Sequence, residues 1–299
     1  MIDKLEFFIA LSKHKHFGKA AESCGVTQPT LSSAIRQLED QLGVVLVQRG
    51  SRYKGLTQEG QRVLEWSRRI VDDTKSMREE MRSARNGLSG HVRIATIPTA
   101  SAMVHELTAP FIKKHPNITL AVTACSSIEV LSKIENFDID VGITYLNDEP
   151  LSGRMVSLPL YAERFQLIVK AGSPLSERED ITWSELGEIP LCLLTPDMQN
   201  RRIVNKHLEE AGVKVAPVLE SNSMLVLYSH ILNGDWASIV PVNIAELMGF
   251  GDSIRGIPIK NPDAKHIVGV VAVRRDPNTP IVAALLREAQ VLANKNLIV

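Results

Sequence analysis

Cysteine is scarce in this sequence. It occurs at Cys24, Cys125 and Cys192 among 299 residues, and no two of these form a Cys-x-x-Cys pair. This usage argues against a disulfide framework and against a zinc site, and it is typical of a reducing compartment. His14 and His16 lie close together but have no further ligand residues beside them, so we predict neither a metal nor another cofactor.

Long hydrophobic runs are also missing. A membrane-spanning helix needs about 18 or more consecutive apolar residues, and the sequence contains no such stretch. Charged residues interrupt the apolar positions of the first six residues, whereas a signal peptide needs a continuous apolar segment. We therefore expect a cytoplasmic protein that has no membrane partner.

Common motifs of α/β enzymes are absent as well. There is no Gly-x-Ser-x-Gly, no Gly-x-Gly-x-x-Gly that opens a helix, and no P-loop. We therefore predict that the chain is not an enzyme.

Apolar residues make up 44% of the sequence, which is enough for hydrophobic cores, and charged residues make up 23%, which is typical of a globular protein. The length predicts one very large domain or two to three ordinary ones.

The formal net charge is zero, but the charge is unevenly distributed. Residues 1–90 contain 15 Lys and Arg against 11 Asp and Glu, and the remainder contains 19 against 23. A basic head on an acidic body is typical of a protein whose first domain meets phosphate groups.

The basic head contains the pattern of a helix-turn-helix. Gly25 can end a short helix because glycine adopts left-handed dihedral angles at low cost. Thr27 is placed to cap the next helix, and Pro29 fits its first turn, where no amide hydrogen is needed. This arrangement allows a small fold to place one helix in the major groove of double-stranded DNA.

The helix after this turn has an apolar stripe and a polar face. The stripe consists of Leu31, Ile35, Leu38 and Leu42. The polar face carries short side chains and one guanidinium group, which suit base edges and phosphates. An ordinary solvated face is the alternative. The predicted DNA-reading residues are Gln28, Thr30, Ser32, Ser33 and Arg36.

A short basic segment, residues 49–57, follows this helix. Its bounding glycines and its three cations predict a β-hairpin wing along the DNA backbone or minor groove. A plain surface loop is the alternative. The wing residues that we expect to contact DNA are Arg49, Arg52 and Lys54.

Residues 58–88 predict one long helix. Val63, Ile70, Met77 and Ala84 recur every seven residues, as in helices that pack against a partner helix. The alternative is a helix that lies on its own domain. We favour a homodimer, because readers of two-fold DNA sites usually act in pairs. Residues 86–90 then indicate a flexible linker.

The remaining two thirds of the chain alternate short apolar segments with amphipathic ones. The first series predicts βαβαβ and hence a parallel sheet covered by helices. The second series includes a predicted short helix at 182–186 and a predicted strand at 215–219. Two α/β lobes, joined by crossing strands near 160–164 and 266–269, would leave a cleft that suits a ligand.

The ends of the predicted strands supply candidate effector-binding groups. Backbone amides and hydroxyls at a helix N-terminus suit an anion, so we favour a small polar anion such as a carboxylate. Helix capping is the alternative role of such Ser and Thr residues. The candidates are Thr99, Ala100, Ser101, Ser126, Ser127 and Thr144 from the first lobe, and Thr195, Pro196 and Asn222 from the second.

The chain resembles the LysR-type transcriptional regulators along its full length. Their head pattern has F-x-x-A-A, S-Q-P-x-x-S, L-E, L-G, L-F-x-R and L-T-x-x-G, and their body has segments such as "hPL". The chain departs from the pattern at Cys24, at Val47 and at His16, which affect packing rather than the recognition face. The matching segments are 17–21, 27–32, 38–39, 42–43, 46–49 and 56–60, followed by 137–143, 173–175 and 233–241.

The resemblance implies a multidomain α+β and α/β protein. It has a winged helix-turn-helix, a long linker helix and a two-lobed α/β domain similar to periplasmic binding proteins. It also implies homotetramers that bend promoter DNA and respond to a small-molecule effector, with RNA polymerase as a further candidate partner. The alternative is a solute-binding protein with no role in transcription, because the two-lobed domain alone would suit that function. Cys125 and Cys192 resemble redox sensors in some relatives, but we favour small buried residues on strands.

The expected organisation has three parts. Residues 1–58 form the DNA-binding domain, and 59–90 form the dimerisation helix and hinge. Residues 91–299 form the effector-binding domain. Its first lobe comprises 91–161 and 268–299, and its second lobe comprises 162–267.

Overall fold

The computed structural model describes residues 1–48, 53–147, 151–247, 253–260 and 265–296. The chain divides into two compact units, Met1–Gly87 and Leu88–Val299. No helix in the described ranges is long and apolar enough to cross a bilayer.

The first unit is helical. Its core is formed by residues from every helix and from the segment between the last two, with Phe8, Leu11, Leu31, Leu38 and Leu46 fully buried. The helices are α1 (Ile2–His14), α2 (Phe17–Ser23), α3 (Gln28–Leu42) and α4 (Gln58–Asn86).

Local capping explains where these helices begin. The Thr27 hydroxyl accepts the Thr30 N–H at 3.4 Å, so the predicted cap of α3 is confirmed. The helix α2 begins at Phe17, because the His16 Nδ1 accepts the Lys19 N–H at 3.3 Å. The stripe predicted on α3 is wrong at its last position, since Leu42 lies at the helix end and is 42% exposed.

The long helix α4 has two different parts. Near its start, Val63 packs against the core of the first unit and Ser67 is fully buried. Farther along, Met77 and Met81 are each 57% exposed and Ile70 is 39% exposed. The alternative interpretation of the seven-residue repeat therefore applies to the first turns, which lie on their own unit, while the later turns present apolar side chains that this unit does not cover.

The second unit contains eleven described strands and six described α-helices. The helices are α5 (Val104–Lys114), α6 (Ser127–Glu135), α7 (Gln199–Glu210), α8 (Met224–Asn233), α9 (Val242–Leu247) and α10 (Pro280–Asn296). The strands are β1 (Gly90–Thr96), β2 (Ile118–Ala124), β3 (Val141–Tyr145), β4 (Met155–Glu163), β5 (Phe165–Lys170), β6 (Ile181–Thr182), β7 (Cys192–Leu194), β8 (Leu219–Ser221), β9 (Ser238–Pro241), β10 (Ile254–Lys260) and β11 (His266–Val273).

The strands form two main sheets, one in each lobe. The first has the order β2-β1-β3-β11-β4, and the second has the order β6-β10-β5-β9. A separate pair joins β7 to β8 in the second lobe. The chain crosses between the sheets through a single residue, Arg164, which lies between β4 and β5. It returns at β11, whose first residue, His266, pairs in register with Glu163.

The predicted parallel βαβαβ series is confirmed, but the first sheet as a whole is mixed. The strands β1, β2 and β3 are parallel, but β11 is antiparallel to both β3 and β4. The reason is that β11 returns from the second lobe and enters the sheet from the hinge, whereas β4 runs in the same direction as β3 and leaves toward the hinge.

One expectation for the second lobe was wrong, and another was displaced along the chain. Residues 215–219 do not form a strand, since β8 begins only at Leu219. Val215 packs against the core, and Pro217 has no N–H to donate. The short helix predicted at 182–186 is present as a 3₁₀ helix that begins two residues later, Ser184–Glu188, and Thr182 is the last residue of β6.

Candidate DNA-binding and effector-binding sites

The polar face of α3 points to solvent. The side chains of Gln28, Thr30, Ser33 and Arg36 are exposed, and Ser32 is half-buried. Thr30 and Ser33 make contacts within the helix and its cap: the Thr30 hydroxyl lies 2.8 Å from the Thr27 hydroxyl, and Ser33 accepts from the Gln37 amide at 3.4 Å. The Arg36 guanidinium is the cation of this face.

The segment after α3 folds back on itself, as a wing requires. Val47 and Leu56 form an antiparallel bridge, and the Gln48 N–H donates to the Gly55 carbonyl at 3.0 Å. Lys54 is exposed on the returning side. The other two predicted wing cations, Arg49 and Arg52, lie outside the described residues.

Glu39 joins this wing to the recognition helix, a role that the sequence reading missed. Its Oε1 accepts the backbone N–H of Leu46 at 2.7 Å and that of Val47 at 3.1 Å. On the other side, the Thr57 hydroxyl donates to the Val45 carbonyl at 2.6 Å and accepts the Gly60 N–H at 2.9 Å. The two ends of the wing are therefore fixed to α3 and to the start of α4.

The first-lobe effector candidates lie at one edge of the first sheet. This follows from the parallel strands, because β1, β2 and β3 all end there. Thr99, Ala100 and Ser101 follow β1 in a 3₁₀ helix. Ser126 and Ser127 follow β2, and Thr144 is the penultimate residue of β3.

Several of these candidates already have structural roles. Ser126 caps α6 in a capping box, in which Glu129 accepts the Ser126 N–H at 3.0 Å and its hydroxyl at 3.1 Å. Ala100 is fully buried and its N–H donates to the Ile97 carbonyl, to which the Ser101 hydroxyl also donates. The Thr144 hydroxyl is buried and has no hydrogen-bond partner among the described residues.

The second-lobe candidates lie on the loops after β7 and β8. Thr195 and Asn222 are neighbours across this strand pair, because the Thr195 N–H donates to the Ser221 carbonyl at 3.2 Å. Within the described residues, the Thr195 hydroxyl is buried without a partner. Pro196 and Asn222 are exposed.

Arg202, a residue that the sequence reading did not select, links the two lobes. Its guanidinium donates to the Ser127 hydroxyl of the first lobe at 3.2 Å. It also donates to the Gln199 side chain and, at 2.8 Å, to the Asp197 carbonyl. A half-buried cation of the second lobe is thereby held against the first turn of α6.

A second polar network crosses the lobes at the hinge. The Tyr145 hydroxyl donates to Glu163 at 2.5 Å, and it lies 3.5 Å from the Thr99 hydroxyl and 3.4 Å from the Asn200 amide. Burial raises the pKa of Glu163 to about 7, although hydrogen bonds from Tyr145 and Tyr161 act in the opposite direction. Thr99 is therefore connected to a buried carboxyl at the crossing strand.

Two histidines meet beside this network. The Nε2 atoms of His207 and His266 lie 3.1 Å apart. Burial lowers the pKa of His207, and the neighbouring His266 lowers it further. The Trp183 ring lies 4.8 Å from the His207 ring, between centroids.

Known proteins match both units of the chain. Residues 2–61 match the bacterial regulatory helix-turn-helix protein, lysR family, and residues 85–293 match the LysR substrate binding domain. The chain belongs to the LysR family of transcriptional regulators. Its winged helix-turn-helix, long helix and two-lobed α/β domain are the fold of full-length members.

Individual relatives of this LysR-type regulator are distant in sequence but similar in length. It is 27% identical to the hydrogen peroxide-inducible genes activator of Dickeya chrysanthemi over 90% of this chain and 88% of that protein. A full-length cysteine-to-aspartate variant of OxyR from Pseudomonas aeruginosa superposes with a TM-score of 0.75, at 22% identity, over 98% and 97% of the two chains. Full-length CbnR with its target DNA gives 0.66, at 22% identity, over 98% and 100%.

The surroundings of the two cysteines in the second unit of this LysR-type regulator raise the pKa of each thiol. Burial raises the pKa of Cys125, and the nearby Glu129 carboxylate raises it further. Burial also raises the pKa of Cys192, which lies on β7. A thiol becomes a nucleophile as its thiolate, so both groups are in surroundings that oppose reaction. No cluster of metal-ligating residues occurs in the ranges that the structure describes.

Proposed function

We propose that this LysR-type regulator binds promoter DNA as a homodimer or homotetramer, and that a small anion between its lobes changes how it binds or bends the DNA. The observation that carries the anionic effector is the contact between Arg202 and Ser127. A guanidinium group presents planar donors that match a carboxylate or a phosphate.

The surroundings of Arg202 support an anion. Ser127 is the first residue of the nine-residue helix α6, and the N-terminal end of a helix favours negative charge. Glu129 already uses the Ser126 N–H and hydroxyl, so the anion would depend on Arg202, on Ser127 and on the remaining N–H groups. Binding to groups of both lobes would stabilise one arrangement of the lobes over others.

Two hydroxyl groups support a ligand near this edge. In the described part of the chain, the buried Thr144 and Thr195 hydroxyls have no hydrogen-bond partner. Buried polar groups are usually paired, so each is a group that a ligand or a water molecule would satisfy. The Thr144 side chain lies on the face of the first sheet that α6 covers, because residues two apart on a strand share a face and Gly142 faces Val130 of that helix.

For DNA, we assign direct contacts to the exposed face of α3 and to the wing. These residues are Gln28, Thr30, Ser32, Ser33 and Arg36, together with Arg49, Arg52 and Lys54. Residues 1–58 would form the DNA-binding domain and 59–90 the dimerisation segment, with the later turns of α4 as the dimer contact. The exposed Met77 and Met81 support that contact. RNA polymerase remains a candidate partner.

A footprint tests this proposal. The full chain is bound to the DNA upstream of its own gene, with and without acetate, succinate, citrate and inorganic phosphate. We expect at least one anion to change the protected region, and Arg202→Met to abolish that change without loss of binding. Arg178→Met is the matched control, since Arg178 pairs with Glu185 on the surface at 2.7 Å. An unchanged footprint with every anion would contradict the assigned effector class.

A further inference from the structure

The histidine pair joins a helix of the second lobe to the strand that returns to the first. His207 lies on α7, which packs against β7 and the 3₁₀ helix Ser184–Glu188. His266 is the first residue of β11 and pairs in register with Glu163 of β4. The distance of 3.1 Å between the two Nε2 atoms is that of a hydrogen bond. This contact therefore bridges elements that would separate if the lobes moved about the hinge.

The bond depends on where the protons are. Of the two facing nitrogens, one must carry hydrogen and the other must accept it. Protonation of one ring preserves the bond in a charge-assisted form. Protonation of both rings places two N–H donors and two positive charges face to face, and the contact is lost.

Other charged groups bias this pair. On α7, the Glu210 carboxylate lies 3.4 Å from the His207 Nδ1 and favours its protonation, while Lys206 opposes it. On β4, Glu163 is the register neighbour of His266. Aromatic rings also pack against the pair: Tyr145 and Phe165 contact His266, and Phe165 and Trp183 contact His207. Arg164 and Lys265 are the cations next along the chain.

We propose that the His207–His266 pair is a proton-sensitive link at the hinge, which holds α7 to β11 while at least one ring is neutral and releases it when both are protonated. The regulator would then respond to acidification as well as to its effector. This inference rests on the proposed function only in treating lobe movement as the regulatory signal.

Two observations make the link sensitive near neutral pH. Histidine is the side chain whose ordinary pKa lies in the range of about pH 5–8. Burial and the second ring lower the pKa of His207, so the second proton binds at a lower pH than it would at an ordinary histidine. The link is therefore expected to be intact at neutral pH and to open in mild acid.

Hydrogen exchange of the full chain tests this link. Exchange is measured between about pH 8 and pH 5, with times corrected for the intrinsic pH dependence of amide exchange. We expect peptides from α7 and from the start of β11 to exchange faster at the acidic end, whereas peptides from α6 stay unchanged. In His266→Gln this acid-induced increase in the exchange rate, the pH-dependent step, should be lost. His230→Gln, which alters a histidine of α8 next to Trp236, should retain it.

A further variant identifies the titrating group. Glu163→Gln should retain the step, because the proposal assigns it to the histidines. If Glu163→Gln abolishes the step, or if His266→Gln retains it, the proposal is overturned.

Fluorescence provides a second readout that needs no movement of the lobes. In a chain with Trp66→Phe and Trp236→Phe, Trp183 reports on His207, since their rings lie 4.8 Å apart. The pH midpoint of the change in Trp183 fluorescence should move upward in His266→Gln, because the charge that opposes protonation of His207 is removed. An unchanged midpoint would overturn the coupling. The anion footprint is measured at constant pH, so failure of either proposal is recognised separately.

Discussion

Glu39 and Leu46 are joined by a hydrogen bond of 2.7 Å, in which a carboxylate on the recognition helix accepts the backbone N–H at the base of the wing. The same oxygen accepts the Val47 N–H at 3.1 Å. Two donors on one ionised acceptor fix the wing relative to α3. The distance between α3 and the wing, the two elements that we propose to contact DNA, is therefore set within the chain itself.

Glu39→Ala should loosen the wing. Hydrogen bonds to charged groups contribute about 1.5–3 kcal/mol each, so we expect the loss of both bonds to lower the stability of the first unit by about 3 kcal/mol or more. Glu39→Gln keeps a neutral acceptor and should lose about half as much. Hydrogen exchange at the Leu46 and Val47 amides measures the change. Asp40→Ala is the control, since Asp40 is an exposed neighbour on the same helix, and equal exchange in both variants would show that Glu39 does not hold the wing.

Arg36→Ala should weaken operator binding. If the exposed guanidinium reads a base, the loss is about 1–3 kcal/mol and is confined to one position of the operator. A gel-shift titration with operator variants measures both effects. Lys113→Ala removes one exposed positive charge from the second unit and should leave affinity nearly unchanged. Unchanged affinity of Arg36→Ala would remove this residue from the DNA-binding site.

Replacing both Met77 and Met81 with Glu should dissociate the dimer. Their exposure on α4 indicates a surface that a second copy covers. Burying a Met side chain contributes about 1.5–3 kcal/mol, so the double change should cost at least about 3 kcal/mol of association. Sedimentation equilibrium measures the change. The double Leu variant preserves the apolar surface and should remain dimeric, whereas an unaffected Glu variant would place the dimer contact elsewhere.

Local signals made much of the fold predictable. The cap at Thr27 and the proline after it fixed the start of α3, and the apolar segment Ile118–Ala124 proved to be β2 with the predicted ends. Such features depend on a few consecutive residues. The strand β10 was missed because Gly256 and Pro258 interrupt its apolar pattern.

The contacts between the lobes could not be read from the sequence. Arg202 and Ser127 are separated by 75 positions, and His207 and His266 by 59. Each of these residues resembles an ordinary surface or core residue in its own segment. Their roles arise only when the crossing strands bring the two lobes together, which no local pattern records.

Hydrogen peroxide should not change the DNA footprint of this regulator by oxidising its second unit. Relatives are named as hydrogen peroxide-inducible genes activators, but the pKa of Cys125 and that of Cys192 are both raised by burial. Thiols of this kind react slowly with peroxide. We expect Cys125→Ser and Cys192→Ser to behave like the unmodified chain, with little sulfenic acid detected by mass spectrometry. A peroxide response that either substitution abolishes would contradict this prediction.

Glu163→Gln should flatten the dependence of stability on pH. Burial raises the pKa of Glu163 from 4.5 to about 7. The folded chain therefore keeps a proton that the unfolded chain has already lost. This proton adds about 3 kcal/mol to the free energy of unfolding. The contribution is fully present below about pH 4.5 and is lost as the pH rises through about 7.

Urea unfolding at several values between about pH 5 and pH 8 measures this effect. Relative to Glu163→Gln, the unmodified chain should lose stability as the pH rises to about 7, and the difference should level off above that. The Gln variant keeps an acceptor for the Tyr145 hydroxyl but has no proton to lose. Glu185→Gln is the matched control: hydrogen bonds from Thr182 lower the pKa of Glu185 to about 2, so the stability that it contributes is lost only below about pH 4.5. Its curve should run parallel to that of the unmodified chain, and a parallel curve for Glu163→Gln would show that Glu163 is not the group that titrates.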